Sequence, residues 1–320
     1  MRLFANARYR FIESRKKAYV FSAVMLLVGI GAMIFNIVTT GSWLAYGVDF
    51  TGGSLVEVRF HQDVTAGEIR SALGGADAPP ITRFGQERDF VIRAPLSEDA
   101  SIDDVAAALE AQLSDAFGPE AFEVLRTELV GAKVGSELQE KAALAILFSF
   151  LLTLLYIAIR FELRFGLAAI AATFHDMIIT LGFLALFRVE ISLPTVAAIL
   201  TILGYSLNDT IIVFDRIREN LHKKGARKRD PIELLNASIN ETLPRTILTS
   251  GTTLAVLTAL LLLGGAVLRD FTIVLILGIV IGTYSSIFVA SPALLEIQER
   301  WGLGKTDRKK KKPKPKPATV

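Results

Sequence analysis

Leu193–Phe214 reads LPTVAAILTILGYSLNDTIIVF, an apolar stretch with one carboxylate, Asp209, among polar neighbours that include Ser206 and Asn208. As an α-helix it can cross the hydrocarbon layer of a membrane, which takes about 20 residues. A charge at the centre of a membrane helix costs about 2.5–3.5 kcal/mol on insertion scales, so such acids are rare and usually functional. The stretch therefore predicts a membrane-spanning helix that carries a functional carboxylate.

Five further apolar stretches of similar length occur in the chain. The 320 residues are 52% hydrophobic without counting glycine, which is high for a soluble domain, and the mean hydropathy is +0.46. The first stretch follows Arg15, Lys16 and Lys17, but it is too long to be the core of a cleaved signal peptide. We expect six membrane helices, at Ala18–Val38, Ala142–Ile159, Gly166–Phe187, Leu193–Phe214, Thr246–Leu263 and Phe271–Leu295.

Lys and Arg residues are distributed unequally among the segments between these helices. They crowd the N-terminal segment, the loops after the second and fourth helices, and the C-terminal tail, whereas the long segment after the first helix is acidic. Basic residues next to membrane helices stay in the cytoplasm, so we expect both termini there. The predicted segments are a cytoplasmic N-terminus (1–17), the first helix (18–38), an extracytoplasmic α+β domain (39–141), a five-helix remainder (142–295) with a basic cytoplasmic loop (215–245), and a basic, disordered cytoplasmic tail (296–320).

The residue types that build most enzymatic and metal sites are scarce. Cysteine is absent, which excludes disulfide frameworks, thiol nucleophiles and iron–sulfur clusters. The three histidines, His61, His175 and His222, are widely separated, and the sequence has no nucleophile elbow, phosphate-binding loop or metal-ligand cluster. We therefore expect no enzymatic activity, no metal and no cofactor.

The acidic segment after the first helix has the pattern of a small α+β domain. Val56, Val58 and Phe60 alternate with charged residues, which indicates a half-buried strand. Thr65 and Glu68 form the sequence of a capping box, in which each side chain satisfies the other's backbone N–H. The later elements are strands at Ile81–Phe84 and Asp89–Arg93, a helix at Ser101–Leu113 and a strand at Phe122–Leu129. The resulting order, β-α-β-β-α-β, is that of a ferredoxin-like domain.

A turn-rich stretch, Gly47–Ser54, links the first helix to the first strand. Gly52 and Gly53 permit a sharp backbone turn there. We interpret Asp49 as a turn or capping acid rather than a functional carboxylate.

Asp209 has a candidate partner in Arg245, at the point where the fifth helix enters the membrane. Asp209 lies roughly 8 Å beyond the centre of the fourth helix, and consecutive helices run antiparallel, so the two residues are at similar depth. An Asp beside Arg is stabilised as the anion, whereas burial favours the neutral acid. A helix rotation that shifts this balance would make the pair a proton relay. The alternative is a static pair that fixes helix packing.

Other polar groups within the helices leave two interpretations open. His175 and Asp176, near the middle of the third helix, are either an auxiliary proton site or a packing hydrogen bond. Asn208 is likewise either an auxiliary proton-pathway residue or a packing residue. Coupling to sodium would need several oxygen ligands around Asp209, and one helix cannot aim them all at it, so a proton is favoured.

Several of these motifs together resemble the SecD/SecF family of protein-export membrane proteins, and within it the SecF branch. Gly47–Ser54 is similar to the opening signature shared by both branches. Gly204–Asn220, the pair His175-Asp176 and Leu243–Thr253 are similar to SecF. The resemblance covers nearly the whole chain, and the outside segment is too short for SecD or for a fused SecDF.

The resemblance implies a fold of the RND transporter superfamily, with six membrane helices and an extracytoplasmic α+β domain. It implies a SecD–SecF heterodimer beside the SecYEG channel of the bacterial cytoplasmic membrane, with YajC and YidC as further neighbours. The family is thought to use the proton motive force to promote export of unfolded polypeptides. Asp209 and Arg245 match the positions of its proton-pathway residues.

Two alternatives stay open: a small-molecule exporter of the same superfamily, and a structural scaffold of the channel. Against the exporter, one set of six helices is half the usual superfamily unit. The Lys309–Lys312 tail is expected near anionic lipids, each basic residue contributing about 1 kcal/mol at the surface. Nucleic acid is not an expected partner, because cytoplasmic positive charge near membrane helices already has a topological cause.

Overall fold

A computed structural model describes residues 7–75, 78–79, 81–83, 88–94, 102–223, 230–265 and 268–301. The middle of the expected basic loop (224–229) and the Lys-rich tail lie outside the described residues. So do Phe84 and Ser101, at the ends of two predicted elements. In chain order the elements are a short 3₁₀ turn (Ile12–Ser14), α1 (Arg15–Thr40), β1 (Ala45–Tyr46), α2 (Val48–Thr51), β2 (Gly53–Phe60), α3 (Ala66–Ala72), β3 (Ile81–Arg83), β4 (Asp89–Ala94), α4 (Ile102–Phe117), β5 (Phe122–Val130), α5 (Ala132–Arg160), α6 (Leu163–Phe187), β6 (Glu190–Ile191), α7 (Leu193–His222), α8 (Pro231–Leu263), α9 (Arg269–Ser285), a π-helical turn (Ser286–Ala290) and α10 (Ser291–Trp301).

Six helical segments of the described chain are long and apolar enough to cross a membrane, as expected. They are α1, α5, α6, α7, α8 and the continuous segment from α9 through the π-helical turn to α10, which we call the first to sixth spans. α5 and α7 also extend beyond the apolar runs, because polar turns continue the same helices at one end. The side of the bundle that carries the α/β sheet is called the domain side below.

The fifth span begins earlier than the sequence indicated. We expected a loop as far as 245 and a helix from Thr246, but α8 begins at Pro231, where Asp230 caps the helix by accepting a hydrogen bond from the Ile232 N–H. The added turns are amphipathic, and a hydropathy criterion misses such turns because polar residues interrupt the apolar face. Their buried side chains belong to one cluster with the end of α7, comprising Leu234, Leu235, Ile239, Phe214 and Ile217.

The six spans divide into a buried group and a peripheral group. α6, α7 and the sixth span are largely buried, whereas α1, α5 and α8 expose most of their apolar side chains. α1 packs closely on α6 where Gly29 meets Gly182: a Cβ added to Gly29 would lie 2.8 Å from the Gly182 Cα. Small residues at such a crossing let two membrane helices approach to backbone contact.

The segment between the first and second spans contains the predicted order β-α-β-β-α-β, from β2 to β5. The four strands form one antiparallel sheet in the order β3-β4-β2-β5, and Val56 of β2 pairs with Ile92 of β4 and Thr127 of β5. The alternating residues of β2 are buried as the pattern predicted, with Val56, Val58 and Phe60 almost inaccessible. The capping box at Thr65 and Glu68 is also formed.

The sheet is tied to the membrane bundle by a second, small sheet. β1 pairs in parallel with β6, which lies between the third and fourth spans, and the Gly47 N–H donates to the Ile191 carbonyl at 2.9 Å. The turn after α2 needs glycine, because Gly53 has φ +136° and an added Cβ would lie 2.8 Å from the Ala94 carbonyl oxygen. The predicted turn at Gly52 and Gly53 thus connects α2 directly to β2 of the sheet.

Candidate functional site

Asp209 is buried at the meeting point of three spans, with 4% of its surface exposed. Thr246 of α8 donates a hydrogen bond to Asp209 Oδ1 at 2.7 Å, and Ser286 of the sixth span donates to Oδ2 at 2.5 Å. Each carboxylate oxygen therefore receives a hydroxyl from a different helix. The described ion pairs include none that joins Asp209 to Lys or Arg, in contrast to Asp215 farther along α7, which pairs with Arg160 and Arg218.

The helical periodicity explains these contacts. Ser206, Asp209, Thr210 and Val213 follow one another at helical spacing and are all buried, so Asp209 is on the inward face of α7. On α8 the buried positions Ser238, Thr242, Thr246 and Ser250 recur every four residues. Thr246 therefore faces the bundle and meets Asp209.

Arg245 does not pair directly with Asp209. The residue is exposed, because its position next to inward-facing Thr246 turns it about 100° around the helix. We expected Arg245 to lie at the entry of the fifth span, but α8 begins at Pro231, so Arg245 lies within a continuous helix beside Pro244. Its charge acts on Asp209 only at longer range. The direct contact is made by the neighbouring threonine instead.

Asn208 is also exposed, because it lies about 100° around α7 from the buried Asp209. Gly204 and Thr201 are exposed on the same face, about one and two helical turns away from Asn208. Asn208 and Arg245 thus leave polar groups on the outside of the bundle, within the apolar spans, while Asp209 points to its interior.

His175 and Asp176 form a second buried polar group. Asp176, with 3% of its surface exposed, has its Oδ1 2.8 Å from the Nδ1 of His175. Its Oδ2 accepts hydrogen bonds from Ser206 of α7 and, at 2.7 Å, from Ser285 of α9. The pair predicted on the third span is therefore connected to the fourth and sixth spans.

The other nitrogen of His175 continues the network to the first span. His175 Nε2 lies 3.0 Å from the Ser22 hydroxyl, which is 3.1 Å from the Tyr284 hydroxyl. Tyr284 in turn donates to the Ala18 carbonyl at 2.9 Å. A continuous row of hydrogen-bonding groups therefore runs from Asp176 to the first span.

Ser285 and Ser286 were not identified from the sequence. A Ser pair in an apolar helix has no distinctive signal, and only the helix register shows that each hydroxyl meets a different carboxylate. The π-helical turn begins at Ser286, and such turns occur often at functional sites. Each serine has a second acceptor on its own helix: the Gly282 carbonyl at 3.3 Å for Ser285 and the Thr283 carbonyl at 3.0 Å for Ser286.

A small cavity lies between α6 and α7, next to Asp176. It has a volume of about 10 Å³, and the surface that it exposes is apolar. Its lining combines four polar side chains with four apolar ones, namely Thr173, Asp176, Thr180, Ser206, Met177, Ile199, Ile202 and Leu203. All lining residues from α7 lie on the domain side of Asp209.

The domain-side end of the fourth span is held by residues from the α/β segment. Asp49 Oδ2 accepts a hydrogen bond from the Leu193 N–H at 2.8 Å, so it caps α7 as the predicted capping acid, although on a different helix from its own. Arg93 of β4 forms an ion pair with Glu190 of β6. Burial raises the pKa of Glu190, and the Arg93 charge opposes that rise.

The surroundings of the two buried carboxyls are rich in hydroxyl groups. Across the described ranges, no three His, Asp or Glu side chains come together as metal ligands. A hydroxyl can donate to a carboxylate or accept from a carboxylic acid, so both protonation states of a carboxyl surrounded by hydroxyls can be satisfied. Asp209 and Asp176 both have such surroundings.

Two family models match the chain. The model described as "Protein export membrane protein SecD/SecF, C-terminal" matches residues 109–300, which include both buried carboxyls. The model described as "SecD/SecF GG Motif" matches residues 38–64, which include Asp49 and the Gly52-Gly53 turn.

Two SecF proteins are similar to this chain over nearly its whole length. Protein translocase subunit SecF of Gemmatimonas aurantiaca is 44% identical over 94% of this chain and 90% of its own length. The SecF of Vibrio alginolyticus is 46% identical over 90% of this chain and 89% of its own. These two relatives are therefore similar in length as well as in sequence.

Two solved structures share the fold. SecDF from Thermus thermophilus, a translocon-associated membrane protein, matches with a TM-score of 0.80 at 38% identity, over 94% of this chain and 40% of its own. SecDF in a super-membrane-facing form matches with a TM-score of 0.66 at the same identity, over 93% of this chain. The chain spans 40% of either solved protein.

Proposed function

The chain belongs to the SecD/SecF family of protein export membrane proteins, and from that premise we propose that it acts as the SecF-type subunit of the protein translocase. It is a multi-pass membrane protein that, with SecD, uses the proton motive force to promote export across the cytoplasmic membrane. The observation that carries the proton-driven role is the buried Asp209, which two hydroxyls hold and which forms no ion pair with any Lys or Arg of the described residues.

Asp209 is the proposed proton carrier because its surroundings adapt to both of its protonation states. As an anion it accepts from Thr246 and Ser286. As an acid it can donate to Ser286, whose own hydrogen then turns to the Thr283 carbonyl at 3.0 Å. A movement of the sixth span that withdrew Ser286 would change the proton affinity of Asp209, since a hydrogen bond to the charged form favours that form. Proton binding and helix position are thereby linked.

The proposed partner is SecD. Asn208 and Arg245 are exposed within apolar spans, and a charged group in contact with lipid is costly. A second membrane subunit covering α7 and α8 would remove both groups from lipid and place Arg245 at a subunit boundary near Asp209. The solved SecDF chain, of which this chain spans 40%, leaves room for such a second module.

The proposed orientation places both termini in the cytoplasm and the α/β domain outside. The clusters of Lys and Arg at the end of the bundle opposite the domain support it. The SecYEG channel, with YajC and YidC, is the proposed neighbour, and anionic lipids are the proposed contact of the tail. An unfolded exported polypeptide would meet the α/β domain.

Movement of the α/β domain can be transmitted to Asp209 through two contacts at the start of α7. Asp49 caps the helix that carries Asp209, and Arg93 of the sheet is paired with Glu190 just before that helix. A domain that swings while it holds or releases an exported chain would therefore pull on the start of α7. We propose this link as the means by which the proton site and the exported polypeptide are coupled.

Export of a secreted protein into vesicles that contain SecD and this chain tests the proposal. The vesicles carry either the natural chain or Asp209→Asn, under an imposed proton gradient and then with an uncoupler. We expect the gradient-dependent part of export to disappear in Asp209→Asn, because the amide cannot exchange a proton. Co-purification with SecD shows whether the variant still assembles.

Asp215→Asn is the matched control, because Asp215 lies on the same helix but is ion-paired with Arg160 and Arg218. It should keep the gradient-dependent export. If Asp209→Asn responds to the gradient as the natural chain does, the carboxyl is structural and the protein is a scaffold. Transport of a small molecule by the purified chain without SecD would instead support the exporter alternative.

A further inference from the structure

We infer that Asp176 is a second proton-binding carboxyl on the domain side of Asp209, and that Ser285 and Ser286 couple the protonation of the two carboxyls. The inference rests on the proposed function, since it assigns a second station to the same proton-driven process. It gives the His175-Asp176 pair a working role in place of a packing role.

The contacts of Asp176 resemble those of Asp209, except that its Oδ1 lies beside His175 and not beside a threonine. Each carboxyl is almost fully buried, and each has an Oδ2 that accepts from a serine of the sixth span. Each of these serines has a backbone carbonyl as an alternative acceptor on its own helix. Both carboxyls can therefore gain a proton without leaving a buried hydroxyl unsatisfied.

The titratable groups that face Asp176 are few. On its own helix it meets His175, and the sixth span brings Tyr284 into the same network through Ser22 of the first span. On the fourth span the nearest carboxyl is Asp209, one helical turn beyond Ser206. In the described part of the chain no Lys or Arg forms an ion pair with Asp176. No fixed positive charge therefore holds it as an anion.

The depth of each group defines an order across the bundle. The cavity beside Asp176 extends along α7 from Ser206 as far as Ile199, toward the domain side. Asp209 lies three residues beyond Ser206 in the other direction, about 4.5 Å along the helix axis. A proton that enters from the domain side therefore meets Asp176, which contacts Ser206, before it meets Asp209.

The chemistry of the step needs no other reactant. A hydronium ion that reaches Asp176 gives a proton to the carboxylate, which becomes the carboxylic acid, and leaves as a neutral water molecule. Release returns the proton to water or passes it to the next basic group, and Asp176 becomes an anion again. The adjacent positions of Ser285 and Ser286 at the start of the π-helical turn mean that one shift of this helix changes the hydrogen bonds of both carboxyls together.

Infrared difference spectroscopy between alkaline and acidic pH tests the inference on the full chain, purified with its SecD partner in lipid. A buried carboxylic acid has its own C=O stretching band. Among the bands that the natural chain gains on acidification, one should come from Asp176 and one from Asp209. Asp176→Asn should lose one of them and Asp209→Asn the other, while the control Asp215→Asn should keep both.

The outcomes separate this inference from the proposed function. Loss of a band in Asp209→Asn but not in Asp176→Asn overturns the second site and leaves Asp209 as the carrier. Loss of a band only in Asp176→Asn contradicts the role of Asp209. Asp176→Glu, which keeps a titratable carboxyl, should restore a band and part of the gradient-dependent export that Asp176→Asn loses. Full gradient-dependent export by Asp176→Asn would also overturn the inference.

The coupling of the two carboxyls by Ser285 and Ser286 has its own test. If Ser285 and Ser286 couple the carboxyls, Ser285→Ala should alter both bands, although Ser285 contacts only Asp176. Thr180→Val is the matched control, since Thr180 lines the same cavity but donates to the Asp176 backbone carbonyl, not to its carboxyl. A change confined to the Asp176 band in Ser285→Ala would overturn the coupling.

Discussion

The Asp49 carboxylate accepts a hydrogen bond from the Leu193 N–H at 2.8 Å, although the two residues are separated by the whole α/β domain and two membrane spans. The first N–H groups of a helix have no partner within it, so an acid at this position stabilises both the hydrogen bonding and the helix dipole. Asp49, which lies where the chain enters the α/β domain, thereby also stabilises the start of the helix that carries Asp209.

Asp49→Ala should therefore lower stability by about 0.5–1.5 kcal/mol, the usual net contribution of one hydrogen bond, since Ser192 remains the N-cap of α7. Asp49→Asn keeps an oxygen acceptor and should cost less. Thermal unfolding of the purified complex measures the difference between the two variants. Equal stability of Asp49→Ala and the natural chain would show that the hydrogen bond does not contribute.

Removing the hydroxyls around Asp209 should weaken proton-driven export without removing the carboxyl. Ser286→Ala or Thr246→Val each deletes a hydrogen bond to a charged group, worth about 1.5–3 kcal/mol, so the gradient-dependent rate should fall about tenfold or more. Thr252→Val is the control, because Thr252 is exposed and donates only to carbonyls of its own helix. A similar loss in all three variants would point to a general effect on α8 or assembly.

The crossing of the first and third spans should not tolerate a larger residue. A Cβ at Gly182 would lie 2.6 Å from the Gly29 Cα, so Gly182→Ala should cost about 1–3 kcal/mol through overpacking. Gly31→Ala is the matched control, since an added Cβ there meets nothing within 4 Å. Thermal unfolding and the yield of folded protein distinguish them. Equal behaviour of the two variants would contradict the close contact.

The pH dependence of stability should include a contribution from Glu190. Burial raises the pKa of Glu190 above its ordinary value, and this effect exceeds the opposing attraction of Arg93. A raised pKa means that the folded state favours the protonated form, so the contribution is full below the ordinary pKa and is lost as the pH rises through the folded-state value. Stability should therefore fall as the pH rises through this window.

Glu190→Gln, which cannot ionise, should weaken this pH dependence. Thermal unfolding of both proteins across a pH series from about 4 to 8, around the ordinary Glu pKa, provides the comparison. Glu57→Gln is a useful second variant: burial also raises the pKa of Glu57, but this residue lies in the sheet, away from the spans. Identical pH profiles for Glu190→Gln and the natural chain would refute the assignment.

Much of the candidate site was visible in the sequence, because the cost of burying charge marks it. Asp209 and the His175-Asp176 pair stand out against apolar helices, and both are buried in polar networks. The serines that hold them do not stand out, since Ser is common at helix contacts and its partner depends on the relative rotation of two spans. Arg245 is next to Thr246, which contacts Asp209, but which side of α8 faces the bundle depends on how this helix packs against its neighbours.

The sequence by itself determined the six spans, the β-α-β-β-α-β order and the candidate acids. These features follow from local physics: apolar length, alternation of side chains along a strand, capping, and the rarity of charge in a membrane. Only the tertiary structure decided that Thr246 rather than Arg245 contacts Asp209, that Asp49 caps α7, and that Ser285 and Ser286 bind different carboxyls. Each of these contacts joins residues far apart in the chain, so it depends on how the helices rotate and pack against one another, which no local pattern encodes.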